Sequence, residues 1–226
     1  MTKYHYNIEQ RSPEWYALRE LRMTASNASI IISAGKGLQT YCRQLFLESI
    51  LPMNRETFIS ADMERGILLE PDAREYYEKT TGQTVDLVAF VEGTKYSGCS
   101  PDGLIGKDGG LECKCPNDKT YLNYLLDETG DISCLPKEYY NQVQMCLMIT
   151  KRKWWDLAFY NPNFTNNPMI IHRILPDKEV FAKLRKGIKD GEKIIKEVQK
   201  KFLHTNKKYA KTIKPKTSSS RAIQSS

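Results

Sequence analysis

Residues 99–116 read CSPDGLIGKDGGLECKCP, and this stretch decides the fold of the chain. Glycines separate its short apolar segments, a pattern typical of antiparallel strands joined by tight turns. Successive side chains alternate across a strand, so Glu112 and Lys114 share one face while Cys113 and Cys115 lie on the other. The stretch therefore predicts a hairpin that presents a carboxylate and an ammonium group side by side.

A hairpin that returns through Gly109 and Gly110 brings Asp102 beside this charged face. Two carboxylates and an ammonium group then converge, which suits a hard divalent cation next to a water molecule that must lose a proton. Two simpler explanations stay open at this point. An Asp-Gly pair is an ordinary turn, and Glu112 with Lys114 could form an ion pair on an exposed strand face.

The rest of the chain alternates between helical and extended patterns. Helices are predicted over residues 12–21, 24–32, 39–50, 60–81, 119–128, 136–150 and 181–202, and strands over residues 84–92, 95–99, 104–105, 111–115, 154–160 and 169–175. The four strands between residues 84 and 115 are typical of a β-meander. Helices before and after a central sheet predict a layered α/β or α+β domain.

Three helices carry specific expectations. Thr24 has the character of a cap for the second helix, and Gly82 is a good terminator for the helix at 60–81. Pro71 lies inside that helix and removes a backbone donor, so a kink or a new helix is expected there. The helix at 136–150 is apolar on nearly every side, which predicts burial.

Length and charge favour one folded domain with a basic tail. A chain of 226 residues, of which 40% are hydrophobic, can fill one core, so we expect a single domain over residues 1–204. Residues 205–226 hold six basic side chains and no acidic one, so most of the net charge of +7 lies there. This Ser/Lys-rich segment could add nonspecific phosphate affinity, or could be a solvated, flexible terminus.

Several classes of protein and site are excluded by what the sequence lacks. No apolar run approaches the roughly 18–20 residues of a membrane helix, and no secretory segment opens the chain, so we expect a cytoplasmic location. The six cysteines form no dense framework, which favours reduced thiols. Cys113 and Cys115 lack a second pair at zinc-site spacing and are expected to be buried thiols. His-based, Walker and Gly-x-Ser-x-Gly patterns are absent.

One pattern in the chain resembles the signature of the PD-(D/E)xK nuclease superfamily. It consists of Pro101-Asp102, nine further residues and Glu112-x-Lys114. Within that superfamily, the chain resembles the branch of phage lambda exonuclease and the YqaJ-type viral recombinases over most of residues 11–160. Four ordered motifs carry the resemblance: Trp15-Tyr16-Ala17-Leu18-Arg19 with Thr24-Ala25-Ser26, Gly66 with Leu69-Glu70 and Ala73-Arg74, residues 99–104 with 111–116, and Tyr139 with Gln142-Val143-Gln144.

The resemblance implies a fold and an activity. The expected fold is α/β and restriction-endonuclease-like, one domain with a central mixed sheet flanked by helices. The expected activity is a Mg²⁺-dependent 5′→3′ exonuclease, with Mn²⁺ able to substitute, that digests one strand of duplex DNA from a 5′-phosphorylated end. The remaining 3′ single-stranded tail would serve strand annealing in phage or prophage recombination. A homotrimer, a single-strand annealing protein as partner and a bacterial host cell are therefore expected.

The resemblance also assigns the catalytic and metal-binding roles. Asp102, Glu112 and the backbone carbonyl of Cys113 would hold a metal ion, and Glu70 would add a third carboxylate for a second ion. Lys114 would orient or deprotonate the attacking water. These groups together would stabilise the charge that develops on the phosphate.

Further residues are implied around this centre. Gln142 would bond to Lys114 or to a water, although a buried amide satisfied by backbone is the simpler alternative. Arg19, Ser26 and Ser100 would bind the terminal 5′-phosphate through a guanidinium and hydroxyls, and Lys119 or its neighbour would contact another phosphate. For Arg19 and Ser26, the alternatives are an exposed helix residue and a hydroxyl of a helix turn.

Two competing functions follow from the same core. A site- or structure-specific DNA endonuclease would need an element that reads base edges, and no dedicated insertion is visible. A non-catalytic DNA-binding protein on the same fold would not need an intact Asp102, Glu112 and Lys114. A comparison of linear with closed circular DNA separates the endonuclease from the exonuclease, and any magnesium-dependent turnover excludes the non-catalytic protein.

Overall fold

Two mixed β-sheets flanked by helices form the computed structural model, which describes residues 2–51, 60–126 and 134–212. The strands are β1 (Lys3–His5), β2 (Met23–Thr24), β3 (Val85–Asp86), β4 (Phe90–Thr94), β5 (Ser97–Cys99), β6 (Gly103–Ile105), β7 (Gly109–Lys114), β8 (Trp154–Tyr160) and β9 (Met169–Ile174). The helices are α1 (Pro13–Arg19), α2 (Ala28–Ser33), α3 (Lys36–Ile50), α4 (Ala61–Thr81), α5 (Asp118–Leu126), α6 (Lys137–Thr150) and α7 (Lys178–Thr212). The predicted α/β class is confirmed.

The strands divide into two sheets rather than one central sheet. The smaller sheet has the order β1-β4-β5-β2, and the larger has the order β3-β6-β7-β8-β9. Strands β2 and β5 are parallel, as are β7 and β8, while the other neighbours are antiparallel. The parallel pair in each sheet follows from helices that separate the two strands in the chain.

The predicted β-meander over residues 84–115 is wrong in one respect. Strand β3 pairs with β6 in the larger sheet, whereas β4 and β5 belong to the smaller one. The chain crosses between the sheets after Asp86 because β4 pairs with β1, near the N-terminus. Strand β1 spans only three residues, too few for a period-two pattern to indicate it.

The predicted hairpin is confirmed, but its turn lies earlier than the paired glycines suggested. Gly103 pairs with Leu111 and Ile105 with Gly109, so the turn lies at residues 106–108, with Gly106 at φ 49°. Gly109 and Gly110 are strand residues of β7. A Cβ atom there would come within 2.1 Å and 2.3 Å of the indole rings of Trp154 and Trp155, respectively. These glycines therefore make room for the neighbouring strand β8.

Both ends of α4 lie where the sequence predicted them. The Ser60 side chain accepts a hydrogen bond from Met63 N, and Gly82 closes the helix in the left-handed conformation. The helix continues through Pro71, so no new helix begins there. Thr24 lies at the N-cap position of a short 3-10 helix (Ala25–Asn27), although its side chain makes no capping hydrogen bond. It also pairs with Gly98 in β2, and the α-helix itself starts only at Ala28.

Helix α6 is buried because it packs against strands of both sheets, including β4, β5 and β8. Helix α7 packs along α2 and α3. It extends to Thr212, so the start of the predicted tail is helical, and residues 213–226 lie outside the described residues. Within the described ranges, no helix is long and apolar enough to cross a membrane.

Candidate active site

A cavity of about 650 Å³ opens where β7 ends, between α1, α4 and α6. Nine of the ten residues predicted for the site line it: Arg19, Ser26, Glu70, Ser100, Asp102, Glu112, Cys113, Lys114 and Gln142. Lys119 does not belong to this lining; it is exposed in the first turn of α5, and its neighbour Thr120 lines the cavity instead. The structure thus brings together residues that are up to 123 positions apart in the sequence.

Asp102 is fixed against β7 by the backbone. Its Oδ2 atom accepts a hydrogen bond of 2.7 Å from the amide of Cys113. Burial, followed by the charges of Glu112 and Glu70, raises the pKa of Asp102 well above its usual value. Burial and nearby negative charges disfavour the ionised form of a carboxylate, and a bound cation stabilises that form.

Glu112 is 2% exposed and has one satisfied and one unsatisfied oxygen. Its Oε1 atom accepts from Lys114 Nζ at 2.7 Å and from Gln142 Nε2 at 2.5 Å, whereas Oε2 is buried without a hydrogen-bond partner. Burial raises the pKa of Glu112, and the charge of Lys114 opposes that effect. An orphaned carboxylate oxygen in a cavity is a free ligand position for a metal ion.

Lys114 lies among acceptors on the same face of β7, as the alternation along the strand predicted. Its Nζ atom donates to Glu112 and to Gln142 Oε1, the latter at 3.2 Å, and lies 4.9 Å from the ring centroid of Tyr139. Burial acts to lower the pKa of Lys114, but the charges of Glu112 and Asp102 outweigh it and raise the pKa above its usual value. The ammonium form is therefore favoured in this arrangement.

Gln142 uses its side-chain amide on other side chains and not on backbone. Its oxygen accepts from Lys114 and its nitrogen donates to Glu112, so it spans the ion pair. The backbone role falls to Gln144, which donates to the carbonyl of Leu175 and accepts from the amide of Asp177. The simpler alternative, a buried amide satisfied by backbone groups, therefore applies to Gln144 and not to Gln142.

Glu70 lines the cavity from α4 and is ion-paired with Arg74, one helical turn later. Within residues 2–51, 60–126 and 134–212, no group of three or more His, Cys, Asp or Glu side chains is arranged to hold a metal ion. The carboxylates that fit a metal as they stand are Asp102 and Glu112. The Oε1 atom of Glu70 is committed to Arg74, so its other oxygen is the one that could contribute a third carboxylate ligand.

Three of the predicted phosphate-binding residues, Arg19, Ser26 and Ser100, are joined through Thr24 in a second hydrogen-bonded cluster that lines the same cavity. Arg19 donates to Ser100 Oγ at 3.2 Å and to Thr24 Oγ1 at 3.3 Å, and Thr24 shares a hydrogen bond of 3.3 Å with Ser26. Its guanidinium stacks on Trp15, 4.1 Å from the ring centroid. Burial lowers the pKa of Arg19, and no carboxylate among the described residues forms an ion pair with it.

Trp15 and Thr24 were not predicted as site residues. The indole nitrogen of Trp15 donates at 3.0 Å both to Ser100 Oγ and to the carbonyl of Ala89, so it fixes the hydroxyl that Arg19 contacts. The spacing of four residues between Trp15 and Arg19 on one helix is the signal that could have indicated this contact. The contacts of Thr24 with Arg19 and Ser26 can be recognised only from the tertiary structure.

Cys113 in β7 and Cys115, directly after the strand, are free thiols. Cys113 is buried in the apolar cluster of Tyr77 and Ala158, and burial raises its pKa well above the usual value. Cys115 is half-buried, and burial is the main cause that raises its pKa to about 12. Cys113 is thus the buried thiol that the sequence predicted, whereas Cys115 is only half-buried.

Known proteins resemble this chain in sequence and in fold. The family model of the YqaJ-like viral recombinase domain matches residues 14–153. An alkaline exonuclease, LHK-Exo from Laribacter hongkongensis, superimposes with a TM-score of 0.73 and 28% identity over 89% of this chain and 100% of its own. A second structure of LHK-Exo, in complex with dAMP, gives 0.74 with the same identity and coverage.

A more distant match shows the fold alone. It is a phage-related exonuclease from Haemophilus somnus 129PT, with a TM-score of 0.64 and 14% identity over 82% of this chain and 98% of its own. No functionally curated protein matches the chain in sequence.

Proposed function

Because the chain belongs to the family of YqaJ-like viral recombinase domains, we propose that it is a DNA exonuclease that hydrolyses one strand of a duplex from a 5′-phosphorylated end. The observation that carries the proposal is the geometry of one cavity. Asp102, Glu112, Lys114 and Gln142 line it, and so does Arg19, which forms no ion pair with a carboxylate in the part of the chain that the structure describes. The product would be a 3′ single-stranded tail.

The 5′→3′ polarity is supported by the cluster around Arg19. A guanidinium that has hydroxyl neighbours but no carboxylate partner has N–H groups left for an anion. A terminal phosphate carries more negative charge than an internal one, so a half-buried cation favours an end over a continuous strand. The scissile phosphate would then lie at Asp102 and Glu112, one nucleotide further along the strand.

The metal-binding groups would be Asp102, the free Oε2 of Glu112 and the backbone carbonyl of Cys113. Oxygen ligands of this kind suit Mg²⁺, with Mn²⁺ as a substitute. When bound, a divalent cation supplies Lewis-acid stabilisation of the negative charge that develops on the phosphoryl oxygens. Glu70 would hold a second ion through the oxygen that is not bonded to Arg74.

The protein groups would direct the water and the leaving group. Lys114 orients the attacking water, and its ammonium stabilises the charge on the phosphate during attack. Gln142 holds Lys114 and Glu112 at their observed positions, because it bonds to both.

We also propose the biological setting implied by the family resemblance. The protein would act as a homotrimer in the cytoplasm of a bacterial host, encoded by a phage or prophage. A single-strand annealing protein would receive the 3′ tail that digestion leaves. Lys119, exposed on α5, would contact the DNA backbone outside the cavity.

The proposal is tested by digestion of linear duplex DNA labelled separately at its 5′ and 3′ ends, in Mg²⁺, beside a covalently closed circle. Release of mononucleotides from the labelled 5′ end, with the circle intact, is expected. Cutting of the circle would instead indicate an endonuclease, and release of the 3′ label first would contradict the polarity. An EDTA control should abolish all digestion.

A further inference from the structure

A second cavity, of about 510 Å³, lies directly behind the arginine that contacts Ser100. The two cavities share Trp15, Arg19 and Thr24, together with Arg11 and two residues of α4. The guanidinium therefore forms part of a wall between two spaces and does not close the end of one. A phosphate bound there would have open volume on both sides.

Although Arg19 favours a terminal phosphate, its contacts also leave donors for the phosphate that joins a short 5′ extension to the duplex. It uses one N–H on Ser100 and one on Thr24, while its planar face covers Trp15. A guanidinium has five N–H donors, so donors remain for a phosphate held between the cavities. Thr24 is itself held from the second cavity, where the hydroxyl of Tyr41 accepts a hydrogen bond of 3.1 Å from its amide.

The walls of the second cavity have the character of a nucleotide site. Tyr16 and Tyr41 supply aromatic surface, and Leu45 supplies apolar surface. Its volume falls within the roughly 300–1,000 Å³ typical of small-molecule sites. Aromatic faces bind unpaired bases of any sequence by stacking.

The charges on these walls fit a nucleotide better than a bare anion. Arg11 and Arg22 line the cavity, and Arg22 is paired with Glu92 at 3.0 Å. Glu20 and Glu48 line it as well, so the cavity carries both signs of charge. A mixed wall with aromatic surface suits a base and sugar, with the backbone phosphate kept near the arginines.

We propose that the second cavity receives the nucleotides of a 5′ single-stranded extension, which pass Arg19 and lie beyond it. This inference rests on the proposed function and gives the same site a further activity. A duplex with a 5′ extension of one to a few nucleotides would dock with its first paired nucleotide in the active-site cavity. The first cut would then release the whole extension plus one nucleotide.

The chemistry of that cut is the ordinary hydrolysis of a phosphodiester. Water forms a new bond to the scissile phosphorus, the bond from phosphorus to the 3′ oxygen breaks, and that oxygen takes up a proton. The released oligonucleotide ends in a 3′ hydroxyl. The shortened strand begins with a new 5′-phosphate, which is the group that Arg19 binds in the next turnover.

The test measures the size of the first product from 5′-phosphorylated duplexes that are blunt or carry 5′ extensions of one, two or four nucleotides. Ala17→Trp fills the second cavity, since Ala17 lines it without lining the active-site cavity. Glu20→Trp is an independent second variant from the same wall. Ala182→Trp, an exposed alanine on α7, is the matched control.

Wild type and Ala182→Trp should release one nucleotide from blunt ends and products one nucleotide longer than the extension from the others. Ala17→Trp and Glu20→Trp should lose the longer products by at least about tenfold and digest blunt ends within about twofold of wild type. Mononucleotides alone from wild type on every substrate would overturn the inference, as would unchanged long products from both filled variants. Failure of wild type on blunt ends would instead contradict the proposed function itself.

Discussion

Lys114 Nζ lies 2.7 Å from Glu112 Oε1, although the two residues are separated by only one residue on the same strand. The carboxylate of Glu112 is almost fully buried. Glu112 and Lys114 therefore bond to each other and to the amide of Gln142 in place of water. One oxygen of Glu112 is thereby committed to the lysine, and the other stays available. A single carboxylate can thus serve a cation of the protein and a metal ion at the same time.

Replacement of the central charged residues should abolish hydrolysis without unfolding the protein. Asp102→Ala removes a predicted metal ligand, and Lys114→Ala removes the group that orients water, so each should lower kcat by at least about 10²–10⁴-fold. The measurement is release of a 5′ label from linear duplex DNA, with far-UV circular dichroism as the control for folding. A fully active variant at either position would show that the site is assigned wrongly.

Two glutamines of helix α6 should respond differently to the same substitution. Gln142→Leu breaks the bonds to Lys114 and Glu112 and should lower kcat by about tenfold or more, with KM little changed. Gln144→Leu breaks the bonds to Leu175 and Asp177 and should lower the unfolding free energy by about 1–3 kcal/mol. Equal losses of kcat in both variants, measured below their melting temperatures, would contradict the catalytic role of Gln142.

Arg19→Ala should remove the preference for a 5′-phosphate. The guanidinium is the charged group that the structure places among Ser100 and Thr24, so its loss should bring the rates on 5′-phosphorylated and 5′-hydroxyl ends close to each other. Arg173→Ala is the matched control, because Arg173 is paired with Asp156, lines neither cavity and should affect stability alone. Discrimination that survives in Arg19→Ala would exclude this residue from the phosphate pocket.

Asp102→Asn should stabilise the protein in EDTA while it destroys activity. Burial and the charges of Glu112 and Glu70 raise the pKa of Asp102, so its ionised form destabilises the metal-free fold at neutral pH. Asparagine removes the charge and can still accept the bond from Cys113. A gain of about 1 kcal/mol corresponds to a rise in Tm of about 2–4 °C for a chain of this size.

The control for that measurement is Asp108→Asn, on the turn of the same hairpin. Asp108 is paired with Lys153 on the surface, where such a pair contributes little, so its loss should leave Tm almost unchanged. Added Mg²⁺ should raise the Tm of wild type more than that of Asp102→Asn, since the metal binds the folded state. A lower Tm for Asp102→Asn in EDTA would contradict the crowding of charge at this site.

The parts of the site that lie on one element were predictable from sequence. Strand alternation placed Glu112 and Lys114 on the cavity face, and the glycine pattern placed Asp102 beside them. The contact of Gln142 with Lys114 follows from the family resemblance combined with the apolar stripe of α6, whereas its contact with Glu112 was not predicted. Such features depend on local periodicity, which one sequence displays directly.

Other features depend on contacts between distant segments, which local patterns do not show. Strand β1 pairs with β4 across more than eighty residues, and three residues give no period to detect. Trp15 acquires its role only because Ser100 and Ala89 come to lie beside its indole nitrogen. The positions of Gly109 and Gly110 within a strand follow from the rings of two tryptophans on β8.

The pairing of β7 with its neighbours also protects the chain against misfolded forms. If β7 shifted by one residue, Glu112 and Lys114 would turn toward Tyr77 and Ala158, where Cys113 now packs. Two charges placed in that apolar cluster without partners would cost several kcal/mol, so the shifted form would be sparsely populated. The same charged residues that the reaction requires thus act as a check on assembly, and a molecule that has folded is one whose catalytic groups are in place.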